Sequence, residues 1–257
     1  MWPYYPQPRL DLGPVTIHAF SALVVIAILV GRTIIVRRAR WFAIEPWIAS
    51  RLTIVMLLAG FAGAVVERTI VSDIPRFLGH PLLIFSKVRG IASLGGLGAG
   101  LLGGWLWCRK QRLSSLQMFA LMDIVCFALP FAFVFGRLGC ALAHDHRGYE
   151  SDGWLAVRFP EGPRYDLGLI EFVFLILLSA AFWYLDRRPR PTGFFFATYG
   201  IVYGVFLALL FPHAASWTKL ASGFGAADYG VISWILTVFA VGVATSGVRD
   251  LVASSRL

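Results

Sequence analysis

Apolar residues run along this chain in long blocks, each close to the ~20 residues an α-helix needs to cross the hydrocarbon core of a bilayer. The blocks lie at about 14–36, 47–66, 91–107, 117–143, 166–185, 193–212 and 229–247. Short polar connections separate them, and no long hydrophilic insert, low-complexity run or domain boundary breaks the series. The pattern predicts an all-α integral membrane protein with about seven transmembrane helices, forming a single transmembrane domain over 1–257. The first block is too long for a signal peptide and carries no small-residue cleavage site. The third is short and crowded with glycine from Gly90 to Gly104. It reads two ways: close packing through small residues, or irregular backbone lining a cavity.

Composition agrees with the pattern. Only 14% of the 257 residues are charged, against about 25% in a soluble domain, and the mean hydropathy is +0.73. The net charge of +9 is concentrated beside the blocks, at Arg37, Arg38 and Arg40, at Arg109, Lys110 and Arg112, and at Arg187, Arg188 and Arg190. The positive-inside rule makes these ends cytoplasmic, which places the N-terminus outside and the C-terminus in the cytoplasm. Basic residues placed this way report topology and affinity for anionic headgroups. They do not predict nucleic-acid binding. Cys108, Cys126 and Cys140 form no disulfide framework.

The unusual chemistry falls in the outer connections. Residues 67–90 include Glu67, Arg68, Asp73 and His80, and residues 144–166 carry His144, Asp145 and His146 followed by several charged residues. Any active site therefore faces outward. The densest stretch is Phe135 to Gly148, where an apolar span ends in Arg137, Gly139 and Cys140 before the His-Asp-His cluster. An arginine there is either snorkelling to the headgroups or gripping an anion. His144, Asp145 and His146 are either a hydrated turn or a proton-transfer group. On an extended segment the two histidines share a face with Asp145 opposite. A two-histidine metal site lacks a third ligand at clear spacing.

These residues resemble a known family. Gly136-Arg137-Leu138-Gly139 is similar to the Gly-Arg-Ile-Gly signature of the phosphatidylglycerol–prolipoprotein diacylglyceryl transferases. Arg164 to Glu171 resembles that family's Arg-His-Pro-Ser-Gln-Leu-Tyr-Glu, with Arg164, Leu169 and Glu171 matching. Ile91 to Leu97, containing Gly95 and Gly96, resembles its Met-Ser-Phe-His-Gly-Gly-Leu motif. Tyr199 to Phe206 resembles its sixth-span Tyr-Gly motif, and Ile17 to Phe20 sits where its first span carries Tyr-Gly.

The resemblance implies an enzyme of lipoprotein biosynthesis in the bacterial inner (plasma) membrane. Such an enzyme transfers diacylglyceryl from phosphatidylglycerol to the lipobox cysteine of a prolipoprotein and releases glycerol phosphate. It implies Arg137 as the residue that holds the phosphate and places Asp145 at or beside the signature glutamate; His144, Asp145 and His146 join Arg137 as catalytic candidates because they could replace the base expected at Leu94. Gly136, Gly139, Arg164, Glu171, Tyr203, Gly95, Gly96 and Phe20 are the substrate-binding candidates. The implied partners are phosphatidylglycerol or another anionic phospholipid, the prolipoprotein signal peptide and membrane lipids, with no cofactor, metal or nucleic acid. An arginine holds the phosphodiester charge, and a base deprotonates the thiol. The chain departs from the family at Leu94, where a histidine is expected, at Cys140 and Ala143, where asparagines are, and at Leu207, where an arginine is.

Two readings of other classes stay open at this point. One is a paralogue that binds phospholipid or a lipoprotein precursor without transfer. The other is a small-molecule transporter, which predicts matched broken helices in two halves; the glycine-rich third block has no counterpart in blocks five to seven.

Overall fold

A computed structural model describes residues 1–13, 15–42, 44–72 and 93–210. The chain is mostly helical, with α1 at Ala19–Ala39, α2 at Pro46–Ser72, α3 at Ser93–Lys110, α4 at Ser115–Ala143, α5 at Leu167–Leu185 and α6 at Phe194–Leu210. Among the described residues, four stretches are long and apolar enough to cross a membrane: Ala19–Phe42, Pro46–Val66, Ser115–Ala143 and Leu167–Leu185. They correspond to the first, second, fourth and fifth blocks. The third and sixth blocks are helical as α3 and α6, the latter a shorter apolar helix. The block at 229–247 and residues 73–92 lie outside the described residues.

Two differences from the sequence pattern concern strands. The first helix starts at Ala19 rather than near 14, because the chain before it is a hairpin of β2 (Arg9–Leu12) and β3 (Val15–His18). Gly13, at φ 66, supplies the turn, and the β-branched run Val15-Thr16-Ile17 favours a strand over a helix start. The connection 144–166 is also ordered. β4 (Arg147–Glu150), β5 (Ala156–Phe159) and β6 (Gly162–Asp166) form an antiparallel sheet joined by β1 (Trp2–Pro3), in the order β1-β5-β6-β4. Ala156, Val157 and Phe159 are buried while Arg158 is exposed, close to the alternation of a half-buried strand.

The described residues fold as two compact units, those within Ile35–Leu121 in one and those before Ile35 or after Leu121 in the other. In the first, α2 and α3 pack through small residues. A Cβ added at Gly103 would lie 2.6 Å from the Ala59 Cβ, and one at Gly60 would lie 3.0 Å from the Gly96 carbonyl oxygen. The glycines of α3 thus let two backbones approach within a continuous helix, the packing use of the two readings.

In the second unit an aromatic and aliphatic cluster ties α4, α5 and α6 together. Phe127, Leu175, Leu178, Phe182, Phe195 and Tyr203 are among its buried members. Asp123, buried in α4, accepts a hydrogen bond from the Phe196 amide in the first turn of α6. It thereby satisfies one of the donors that a helix start leaves unpaired.

Candidate active site

The last two turns of α4 and the first turn of α5 meet through glycine. A Cβ at Gly168 would lie 3.0 Å from the Ala141 amide nitrogen and 3.1 Å from the Cys140 Cβ. Only a residue without a side chain lets α5 start this close to α4. Gly139 does the same for α1, with the Phe20 ring 3.1 Å from where its Cβ would be. Two substrate-binding candidates, Gly139 and Phe20, are therefore in contact with each other. Around Gly136 a Cβ would meet nothing within 4 Å.

This approach assembles a charged centre from three helices. Arg137 Nε of α4 lies 2.7 Å from Glu171 Oε1 of α5, and the Tyr203 hydroxyl of α6 donates to the same carboxylate oxygen. Glu171 is buried, whereas the Arg137 side chain is 27% exposed. Arg137, rather than Arg164, is the arginine that pairs with Glu171. Glu171 holds the arginine by its Nε edge, and Arg137 Nη1 lies 3.9 Å from the Cys140 sulfur. A guanidinium fixed in this way presents the remainder of its planar fork to an anion.

Arg164 does not join this centre. Its Nη2 lies 2.6 Å from Glu150 Oε1, in an ion pair across β4 and β6. Arg147 pairs in the same sheet with Glu161 at 3.3 Å and lies over the Phe159 ring.

His144 and His146 take different places, so the two-histidine pairing of an extended segment does not form. His144 follows α4 at φ 52, in the left-handed region, and turns the chain back. Its Nδ1 lies 2.6 Å from Asp166 Oδ2 and its Nε2 lies 3.1 Å from the Tyr5 carbonyl oxygen. The Tyr4 ring covers it at 4.9 Å. Both ring nitrogens thus face oxygen acceptors that tie the N-terminal segment to the start of α5. Asp166 is the N-cap of that helix and accepts from the Leu169 amide. Burial raises its carboxyl, and the His144 hydrogen bond opposes that rise.

His146 lies 2.5 Å from Asp145 Oδ1, with both side chains nearly half exposed. The bond to Asp145, reinforced by Cys140, raises the imidazole to about 10. Cys140, Asp145 and His146 offer a sulfur, an oxygen and a nitrogen that lie within 4.8 Å of one another. This group holds one histidine, not the two weighed from the sequence, because His144 is engaged by Asp166 and the Tyr5 carbonyl.

The remaining expected positions divide. Leu94 and Gly95 stand in the first turn of α3, and Gly96 packs on α2, its Cβ position 3.2 Å from the Ala64 Cβ. Leu207 packs against the aromatic cluster. Asp166, Tyr5 and Gly168 were not singled out from the sequence. An aspartate just before an apolar run is an N-cap signal that could have pointed to Asp166. Nothing local marks Tyr5.

The family model for prolipoprotein diacylglyceryl transferase matches residues 8–210. The phosphatidylglycerol–prolipoprotein diacylglyceryl transferase of Azotobacter vinelandii is 30% identical over 215 residues, covering 78% of this chain and 80% of its own length. Those of Chromohalobacter salexigens and Pseudomonas aeruginosa PAO1 are 28% and 29% identical, over 80% and 79% of this chain and 78% and 79% of their own lengths. The matched stretch contains the whole Arg137–Glu171–Tyr203 centre and strands β4 to β6. With that extent of similarity and the signature arginine seated on its carboxylate, the chain belongs to the prolipoprotein diacylglyceryl transferase family.

Proposed function

We propose that this protein transfers the diacylglyceryl group of phosphatidylglycerol to the lipobox cysteine of a prolipoprotein, at the outer face of the bacterial inner membrane. The chain acts as one transmembrane domain that crosses seven times, with the N-terminus outside and the C-terminus cytoplasmic. The basic residues at the ends of α1, α3 and α5 support that orientation.

The observation that carries the reading is the seating of Arg137, two turns from the end of an apolar span and held by buried Glu171 and Tyr203. A phosphodiester at that depth needs a cation whose position is already fixed, so that stabilising the departing phosphate requires little reorganisation. Asp145 and His146 stand beside it, and an imidazole held cationic by Asp145 favours the thiolate form of an acceptor cysteine brought next to it. His144 and Arg164 position the loop that carries them.

The test is transfer of label from phosphatidylglycerol to a lipobox peptide by the purified protein. Wild type transfers and Arg137→Ala does not. Equal rates in the two proteins would refute the assignment. A second reading is favoured by one observation: Leu207 packs into the aromatic cluster where the family's arginine is expected. Donor binding then rests on Arg137 alone, and a protein that binds phosphatidylglycerol through Arg137 without transferring it fits. Binding that needs Arg137, with no transfer to any lipobox peptide, would select that reading.

A further inference from the structure

The proposed transfer needs the acceptor thiol to become a thiolate, and the end of α4 holds a group suited to that task. Cys140 lies in the last turn of the helix and is only 8% exposed. His144, in its left-handed conformation, reverses the chain, so that Asp145 and His146 return over Cys140 with their side chains open to solvent. Sulfur, carboxylate oxygen and imidazole nitrogen lie within 4.8 Å of one another. Tetrahedral zinc, at bond lengths of about 2.0–2.3 Å, holds its ligand atoms roughly 3.3–3.8 Å apart. To take an ion there, the 2.5 Å contact of His146 with Asp145 must open, and zinc displaces the imidazole proton, since a ligating imidazole is neutral.

The ligand chemistry narrows the choice of ion. A thiolate with an imidazole and one carboxylate suits zinc, whereas magnesium and calcium prefer oxygen throughout. Three protein ligands leave a fourth position open, the arrangement of catalytic zinc rather than structural zinc. Gly168 lets α5 close on the backbone of Cys140, and the exposed Asp145 and His146 leave the other side open to solvent. Arg137 stands close by, with Nη1 3.9 Å from the sulfur. Its charge is already matched by Glu171 at 2.7 Å. Zinc with one thiolate and one carboxylate is neutral overall.

We propose that Cys140, Asp145 and His146 hold a zinc ion whose open position takes the sulfur of the acceptor cysteine. This rests on the transferase reading and supplies its missing step. A thiol coordinated to zinc is deprotonated outright, and its proton goes to solvent. The zinc-held thiolate attacks the glycerol carbon that carries the phosphate oxygen. The carbon–sulfur bond forms, the carbon–oxygen bond breaks, and the electron pair leaves with glycerol phosphate, whose charge Arg137 meets. Zinc is unchanged, and the thioether, a weak ligand, departs.

The test uses the full-length protein in detergent, stripped with a chelator and titrated with cobalt(II) as a visible substitute for zinc. One equivalent binds, with a thiolate-to-cobalt charge-transfer band. Cys140→Ser abolishes the band, and His146→Ala, at an exposed position with little risk to folding, weakens binding by on the order of 100-fold. A lipobox peptide strengthens the band as a second sulfur joins the metal, and the same peptide with serine for cysteine does not. No stoichiometric binding, or a band unchanged in Cys140→Ser, overturns the proposal. Full-rate transfer by the metal-free protein also overturns it and leaves the transferase reading standing. Cobalt bound through Cys140 with no transfer from phosphatidylglycerol to any lipobox peptide overturns the transferase reading, and the acceptor role with it.

Discussion

Arg137 and Glu171 illustrate how a charge near the end of an apolar span is held. Breaking a fully buried pair by removing one partner costs about 3–5 kcal/mol, because the other charge is left uncompensated. Arg137 is 27% exposed, so water recovers part of that loss. Glu171→Ala is expected to destabilise by on the order of 2 kcal/mol, below that buried-pair range, and to lower transfer further by freeing the arginine to move. Thermal unfolding and the transfer rate measure the two effects separately. Tyr203→Phe removes one hydrogen bond to the same carboxylate and should cost about 1.5 kcal/mol with Arg137 still paired. His144 differs from His146 in kind. Since its ring nitrogens contact Asp166 and Tyr5, His144→Ala should loosen residues 1–5 to proteolysis while retaining more transfer than His146→Ala. Equal loss of transfer in the two variants, with the N-terminal segment still protected, would contradict this division.

Elements meet here where glycine permits, and two pairs of substitutions separate contact from helix propensity. Replacing glycine by alanine inside a helix gains up to about 1 kcal/mol where there is room. Overpacking costs about 1–3 kcal/mol where there is none. Gly98 has nothing within 4 Å of its Cβ position, while Gly103 has the Ala59 Cβ at 2.6 Å. Gly98→Ala should therefore raise the melting temperature and Gly103→Ala lower it. Gly136→Ala and Gly168→Ala form the corresponding pair at the site, the second pressing against the backbone of Ala141 and Cys140. It should reduce transfer as well as stability, because it displaces α5 and with it Glu171. Helix ends show another regularity. Arg187 lies 4.1 Å from the Trp183 ring at the end of α5, and Arg109 lies 5.5 Å from the Trp105 ring in the last turns of α3. Such aromatic and basic pairs suit the interfacial zone of a bilayer.

For the whole molecule, the proposed orientation puts the sheet of β4–β6 outside and Arg187–Arg190 inside. A membrane-impermeant thiol reagent applied to intact spheroplasts should label Glu150→Cys and spare Arg188→Cys, and the reverse pattern would invert the topology. All three native cysteines are buried, which keeps the background low. The helical, membrane-spanning character of the chain was legible in its sequence because a bilayer imposes one length and one polarity on every crossing, and both are local properties. Arg137 and Glu171 were legible for the same reason, since a charged residue in an apolar block stands out without knowledge of its partner. The strands at 9–18 and 147–166 were hidden. They are short, and β1 reaches β5 only across more than a hundred residues of intervening chain. Which arginine pairs with Glu171, that His144 secures the Tyr5 carbonyl, and that Cys140 meets Asp145 and His146 were decided by tertiary structure alone. Each depends on where Gly139 and Gly168 let helices close and on a left-handed turn at His144, and neither distance nor direction across a fold is written in residue spacing.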